Sequence, residues 1–186
     1  MKRFFEIVFC LIIIFILSPL ILLIALSIKL DTKGSTILLS KRVGVNNSIF
    51  TMPKFRTMLV NTEIVETNKL KNANARITKV GKILRKYSLD ELPQLFSVIQ
   101  GKMTLVGPRP ALPSQNELLE KRQKLGIHRI KPGITGYAQI KGRDMISLDK
   151  KIDLEYKYLK NRNLFFDLKI IFKTIIIIFN QKGILH

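Results

Sequence analysis

The chain has 186 residues, enough for one domain plus an appendage. It carries 32 Lys and Arg against 13 Asp and Glu, a formal net charge of +19, so polyanions, phosphorylated metabolites or an anionic membrane face are the expected partners. The single cysteine, Cys10 in an apolar run, excludes an internal disulfide framework, argues against a catalytic thiol and suits a reducing compartment.

Residues 4–28 are apolar apart from Glu6, Cys10, Ser18, Pro19 and Ser27. As a helix they would extend roughly 37 Å, enough to cross a bilayer. The run is longer than the core of a signal peptide, and Ala25-Leu26-Ser27 is a poor cleavage site, so it reads as an anchor. Pro19 cannot donate to the Phe15 carbonyl, which predicts a bend near the middle. Lys2 and Arg3 precede the run, and Lys29, Lys33, Lys41 and Arg42 follow it, which favours both ends on the cytoplasmic side. The expectation is a helix-break-helix that dips into one leaflet and returns; a kinked spanning helix with the basic domain inside fits the same residues.

Residues 36–58 read as a β-hairpin, with strands at 36–40 and 48–58 and a Gly- and Asn-containing turn region at 43–47. Lys54 and Arg56 then share one strand face, placed to grip a diphosphate or to solvate an edge strand that Pro53 also suits. Residues 61–74 are polar and without a period, a surface excursion. Ile77, Val80 and Leu84 are spaced for one helical face, on a helix that delivers Arg85 to the octet Ser88-Leu89-Asp90-Glu91-Leu92-Pro93-Gln94-Leu95.

That octet holds two adjacent acids in a strongly basic chain. It also suits a helix start, either as a capping box from Ser88 to Glu91 or with Asp90 as the cap and Pro93 in the first turn. The second register is preferred, because the first places Pro93 where a helical hydrogen bond is due. Gly101 should end the helix, and Met103-Thr104-Leu105-Val106 reads as a short buried strand leading to Gly107-Pro108-Arg109-Pro110. Prolines on both sides of Arg109 restrict its backbone, so the guanidinium is presented with little entropy left to lose. Lys131-Pro132-Gly133-Ile134-Thr135-Gly136 and Lys141-Gly142-Arg143-Asp144 are further turns bearing cations.

Amphipathic helices are expected at 117–129 and 147–160, the second with Leu148, Ile152, Glu155, Tyr156 and Leu159 along one side. Residues 164–179 are nearly all apolar, with Lys169 and Lys173 as a polar stripe and Asp167 and Thr174 on another face. They read as a helix on the membrane or closing the core, and the four consecutive isoleucines from Ile175 keep a strand open. His128 and His186 are too scattered for a His-based metal site and read as surface residues. With no Gly-rich phosphate loop or Cys cluster, acidic residues, basic loops and a hard cation remain as the chemistry.

In this order, Ser18-Pro19, Lys54-Phe55-Arg56-Thr57-Met58, Arg76 to Gly81, Ser88 to Leu95, Gly107 to Pro110 and Lys131 to Gln139 resemble the bacterial sugar transferase family, in particular its small monotopic phosphoglycosyl transferases. The resemblance covers essentially the whole chain. It implies an α+β, predominantly helical monotopic membrane protein, with a re-entrant helix at 1–30 broken at Ser18-Pro19 and a cytosolic, membrane-associated catalytic domain at 31–186. It implies an inner-membrane enzyme of the cytoplasmic face that transfers a phosphosugar from a UDP-sugar to undecaprenyl phosphate. UMP is released, Mg²⁺ is required, and the step begins surface polysaccharide or glycoconjugate synthesis. Nucleic acid is not an expected partner, and a homodimer is compatible.

By the same resemblance Asp90 is the nucleophile that forms a covalent phosphosugar intermediate, and Glu91 is its partner, as a ligand of a metal shared with Asp90 or as a general base. An aspartate at a helix N-terminus among arginines is expected to stay ionised at neutral pH. Lys54, Arg56, Arg85, Arg109 and Arg143 would offset the charge of the diphosphate. Asp167 is expected to orient one of the arginines. The chain departs from the family at Lys102, where an acid is common, and at Lys141, where Asn is common. Two other classes fit the residues: a metal-dependent glycosyltransferase that releases UDP, and a membrane-anchored binder of polyanions without enzymatic activity.

Overall fold

The computed structural model describes residues 2–62, 73–142 and 146–180, with the side chain of Phe179 left aside. The architecture is mostly helical with two small sheets, as the α+β expectation required. Helix α1 (Lys2–Asp31) is followed by an antiparallel hairpin, β1 (Ile37–Val43) and β2 (Ile49–Phe55). Its turn at Val45–Asn47 places Asn46 and Asn47 at positive φ, a conformation Asn tolerates. Next come α2 (Ala73–Arg76), α3 (Lys79–Lys86), a 3₁₀ turn at Leu89–Glu91, and α4 (Gln94–Ile99). Strand β3 (Thr104–Val106) pairs in parallel with β4 (Gly133–Thr135) across α5 (Asn116–Lys124) and a 3₁₀ turn at Ile127–Arg129. Helices α6 (Tyr137–Gly142), α7 (Leu148–Asn161) and α8 (Leu164–Asn180) complete the described chain.

Helix α1 is continuous through Pro19, whereas the sequence predicted a break there. The reason is local. Pro19 leaves the Phe15 carbonyl without its usual donor, and the Ser18 hydroxyl donates to that same carbonyl at 2.8 Å. One face of α1, carrying Glu6, Cys10, Ile13, Ile14, Ile21, Ile24 and Ile28, packs on the domain, and Cys10 and Ile28 are fully enclosed. The opposite face, with Phe15 81% and Leu22 70% exposed, is apolar and uncovered.

Both ends of α1 are tied to the domain. At its start Lys2 Nζ meets Asp167 Oδ2 at 2.5 Å, Arg3 donates to the Ile99 carbonyl at 2.9 Å, and buried Glu6 accepts from the Thr104 hydroxyl and the Leu105 amide. At its end the Val80 amide donates to Asp31 at 3.0 Å, and Arg56 donates to the carbonyls of Lys33 and Thr32 at 2.5 and 2.9 Å. Asp167 therefore holds Lys2 and accepts from Tyr158 rather than orienting an arginine.

Thr78 caps α3 by accepting from the Gly81 amide, and a Cβ at Gly81 would lie 2.2 Å from the Thr57 carbonyl oxygen, so glycine lets α3 pack directly on the strand that leads from β2. Helix α7 buries Ile152 and Glu155 with Leu148, Tyr156 and Leu159 partly covered, as its spacing predicted, and Ser147 is its N-cap. The predicted helix at 117–129 stops at Lys124, because Gly126 takes a φ of 72°. Residues 164–180 are helical, and Lys169 and Lys173 lie exposed away from buried Asp167. The sequence reading of 61–74 as a surface excursion falls largely outside the described residues. His128 is half-buried beside Pro132 and Arg122 rather than on the open surface, and His186 lies outside the described residues.

Candidate active site

The acid pair is carried by the 3₁₀ turn Leu89–Glu91, not by a helix cap. Ser88 takes a left-handed conformation, φ 55°, which turns the chain sharply, and its side chain makes no cap bond. Pro93 is the residue before α4, where its missing N–H costs nothing. Neither register read from the sequence forms. The turn instead projects Asp90 and Glu91 into a cavity of about 700 Å³.

Lys54, from β2, reaches both acids: its Nζ is 2.8 Å from Glu91 Oε1 and 3.8 Å from Asp90 Oδ2. Arg109 approaches the same Glu91 oxygen at 3.3 Å. Arg85 lines the cavity and is oriented by donating from Nε to the Thr57 hydroxyl at 2.9 Å. Arg56 lines it too, but its two terminal nitrogens are engaged by backbone carbonyls at the end of α1, so it ties the helix to the hairpin. Arg143 lies outside the described residues. Of the predicted cations, Lys54, Arg85 and Arg109 surround the dyad.

Arg42, which the sequence reading took only as a flanking charge, also lines the cavity. It donates to the Ser40 hydroxyl at 3.1 Å and to the Pro110 carbonyl at 3.4 Å. The signal was available in β1, where Leu38, Ser40 and Arg42 alternate onto one face and Leu38 pairs with Lys54. Ser40, Thr135, Gln139 and Thr174 add hydroxyl and amide groups to the lining.

Burial sets the electrostatics. It raises the Asp90 carboxyl above the usual carboxylate range, with Glu91 adding to the rise and Lys54, Arg85 and Arg109 opposing it. The sequence argument counted the cations and missed the enclosure. Burial together with neighbouring Arg109 lowers Arg42 to about 10, with Glu91 opposing, so it remains a cation at neutral pH. Burial also lowers Arg85, against the pull of Asp90.

Two glycine-rich turns place Arg109. The Gly107 amide donates to Thr135 at 2.8 Å and the Gly133 amide to Pro108 at 2.9 Å, and a Cβ at Gly133 would lie 2.1 Å from the Gly107 nitrogen. Apolar side chains also line the cavity: Phe9 and Ile13 come from α1, and Ile171, Ile175 and Ile178 from α8.

The family model described as Bacterial sugar transferase matches residues 1–181. The chain belongs to the bacterial sugar transferase family. Within the family it is 38% identical over 190 residues to the exopolysaccharide production protein ExoY of Rhizobium meliloti (strain 1021), covering 94% of this chain and 83% of ExoY. It is 38% identical over 184 residues to the sugar transferase EpsL of Bacillus subtilis (strain 168), covering 99% and 90%. Similarity extends to the UDP-glucose:undecaprenyl-phosphate glucose-1-phosphate transferase of Klebsiella pneumoniae, at 38% over 181 residues and 94% of this chain. The chain spans only 39% of that relative's length, and 35% of the undecaprenyl-phosphate glucose phosphotransferase of Komagataeibacter xylinus.

Proposed function

We propose that this protein transfers a phosphosugar from a UDP-sugar to undecaprenyl phosphate, releases UMP, and passes through a covalent intermediate on Asp90. The observation that carries the reading is the mixed lining of the cavity, which combines a carboxylate pair among Lys54, Arg85 and Arg109 with apolar side chains of α1 and α8. One substrate class that needs both kinds of lining is a phosphate on a long hydrocarbon. The relatives named for transfer from UDP-sugars to undecaprenyl phosphate support the same choice.

In the first step an Asp90 oxygen attacks the β-phosphorus of the donor. The bond from that phosphorus to the α–β bridging oxygen breaks, and UMP leaves with the electron pair. Asp90 now holds the phosphosugar as an acyl phosphate. In the second step an oxygen of the polyprenyl phosphate attacks the same phosphorus and the Asp90 carboxylate is expelled. Lys54, Arg85 and Arg109 would face the negative charge that accumulates, and their partial burial strengthens the effect of Lys54 most directly. Glu91, held by Lys54 and Arg109, sets the direction of both cations.

Asp90 and Glu91 fit a hard cation of the Mg²⁺ type, which takes one or two protein carboxylates and completes its shell with water and substrate phosphates. Among the described residues no cluster of three such ligands competes for it. Bound there, the ion would neutralise charge on the diphosphate.

The reading extends to topology. Helix α1 is long and apolar enough to cross a membrane. Contacts from Lys2 to Asp167 at one end and from Asp31 to Val80 at the other support both ends lying on one side, with the uncovered face in the lipid of the cytoplasmic leaflet.

The test is nucleotide release from detergent-solubilised protein supplied with Mg²⁺, undecaprenyl phosphate and a panel of UDP-sugars. UMP from one donor, lost in Asp90→Asn, is the expected result, together with a phosphosugar adduct on Asp90 by mass spectrometry. Release of UDP, or full turnover by Asp90→Asn, would overturn it.

A further inference from the structure

We infer that the buried Arg122–Glu155 pair is a positioning device for Arg109, an inference that rests on the phosphosugar-transfer reading of the cavity. Arg122 on α5 and Glu155 on α7 are 6% and 2% exposed. The guanidinium meets the carboxylate through two bonds, Nε to Oε2 at 2.8 Å and Nη2 to Oε1 at 2.6 Å. Nη2 also donates to the Arg109 carbonyl at 2.8 Å.

A buried ion pair of this kind adds little net stability over apolar residues of the same volume. What apolar residues cannot supply is the additional donor to Arg109. Pro108 and Pro110 restrict the torsions around Arg109 but leave open where the segment sits relative to the rest of the domain. Its location comes from contacts on successive carbonyls: Arg122 on Arg109, Arg42 on Pro110 at 3.4 Å, and the Val43 amide on Ala111 at 2.9 Å. With its carbonyl fixed from α5, the Arg109 side chain extends the other way, to Glu91 at 3.3 Å. Glu155 prevents the Arg122 head from turning away, so the device runs from α7 through α5 to the dyad.

The experiment uses the full chain. Arg122→Lys keeps the charge and loses the fork; Glu155→Gln keeps one acceptor oxygen and is the milder variant should the first fold poorly. Turnover of the UDP-sugar is measured for each variant in the native background and with Arg109→Ala. If the pair acts through Arg109, kcat falls about 10-fold in the native background, and by less than about 2-fold once Arg109 is Ala. Equal losses in both backgrounds, or no loss in either, would overturn the inference. Hydrogen–deuterium exchange of residues 107–112 gives a readout independent of activity: faster exchange there, with α3 and α4 unchanged, is expected, and unaltered exchange refutes the clamp. A native protein that turns over no UDP-sugar would sink the functional reading, and exchange alone would then decide the clamp.

Discussion

Gly133→Ala tests the scaffold that carries Arg109. A Cβ at this position would lie 2.1 Å from the Gly107 nitrogen and 2.5 Å from the Thr135 carbonyl oxygen, both backbone atoms that no rotamer change can move. Relief requires β3 and β4 to part. The bonds at risk are Thr104 to Pro132 at 2.9 Å, Gly107 to Thr135 at 2.8 Å and Gly133 to Pro108 at 2.9 Å. At about 1 kcal/mol each the loss is about 3 kcal/mol, which for a chain of this size lowers the melting temperature by about 6–12 °C. A fluorogenic thiol dye suits the measurement, because the single cysteine, Cys10, is fully buried and reacts only on unfolding. Gly126→Ala is the control: its φ of 72° carries a conformational cost of about 1 kcal/mol, but nothing lies within 4 Å of the new Cβ. Gly133→Ala melting at or above Gly126→Ala would refute the argument that backbone proximity demands glycine there.

Lys54→Met removes the leading opposition to the burial-driven rise of Asp90, so the carboxyl rises further; because the proposed mechanism has Asp90 attack in its ionised form, the acid limb of kcat/KM should move to higher pH, with a loss near neutrality of about 100-fold. A limb that stays put or moves to lower pH contradicts the assignment. Arg56→Met should cost about 2 kcal/mol by releasing the Lys33 and Thr32 carbonyls, whereas weakened donor binding at a native melting temperature would return Arg56 to the substrate-binding set. Pro19→Ala should leave cysteines placed at Phe4 and Lys29 reactive from the same side of the membrane, because the contacts at both ends of α1 are untouched. Opposite-side labelling would show that Pro19 itself sets the topology.

Where sequence and structure agree, the signal was periodic and local. The face of α7 was legible because burial every three to four residues needs no partner to be recognised, and the hairpin because Gly44, Asn46 and Asn47 admit only a few backbone turns. Alternation on β2 brought Lys54 to the dyad, and the same alternation on β1 would have brought Arg42. What escaped was tertiary. Arg56 shares a strand face with Lys54, but whether its guanidinium meets a ligand or a helix end depends on α1 finishing beside it. Asp167 meets Lys2 across almost the whole length of the chain, a pairing that no window along the sequence contains.

Pro19 shows how a neighbouring residue changes what one residue does alone. The missing donor and the orphaned Phe15 carbonyl were both legible, and a break in the helix was expected from them, yet the helix runs on. The preceding residue supplies the substitute bond, so the Ser-Pro pair acts as a unit. The acid pair follows the same logic on a larger scale. A carboxylate among cations reads as ionised when only charges are counted, yet enclosure by β2, α3 and the Arg109 turn raises Asp90 while the cations it encloses oppose the rise. If Asp90 is the nucleophile, as proposed, partial burial would leave it less solvation to lose before attack. Under the proposed reaction the same cations would have two tasks, opposing the burial-driven rise of Asp90 and facing the charge of the donor's diphosphate.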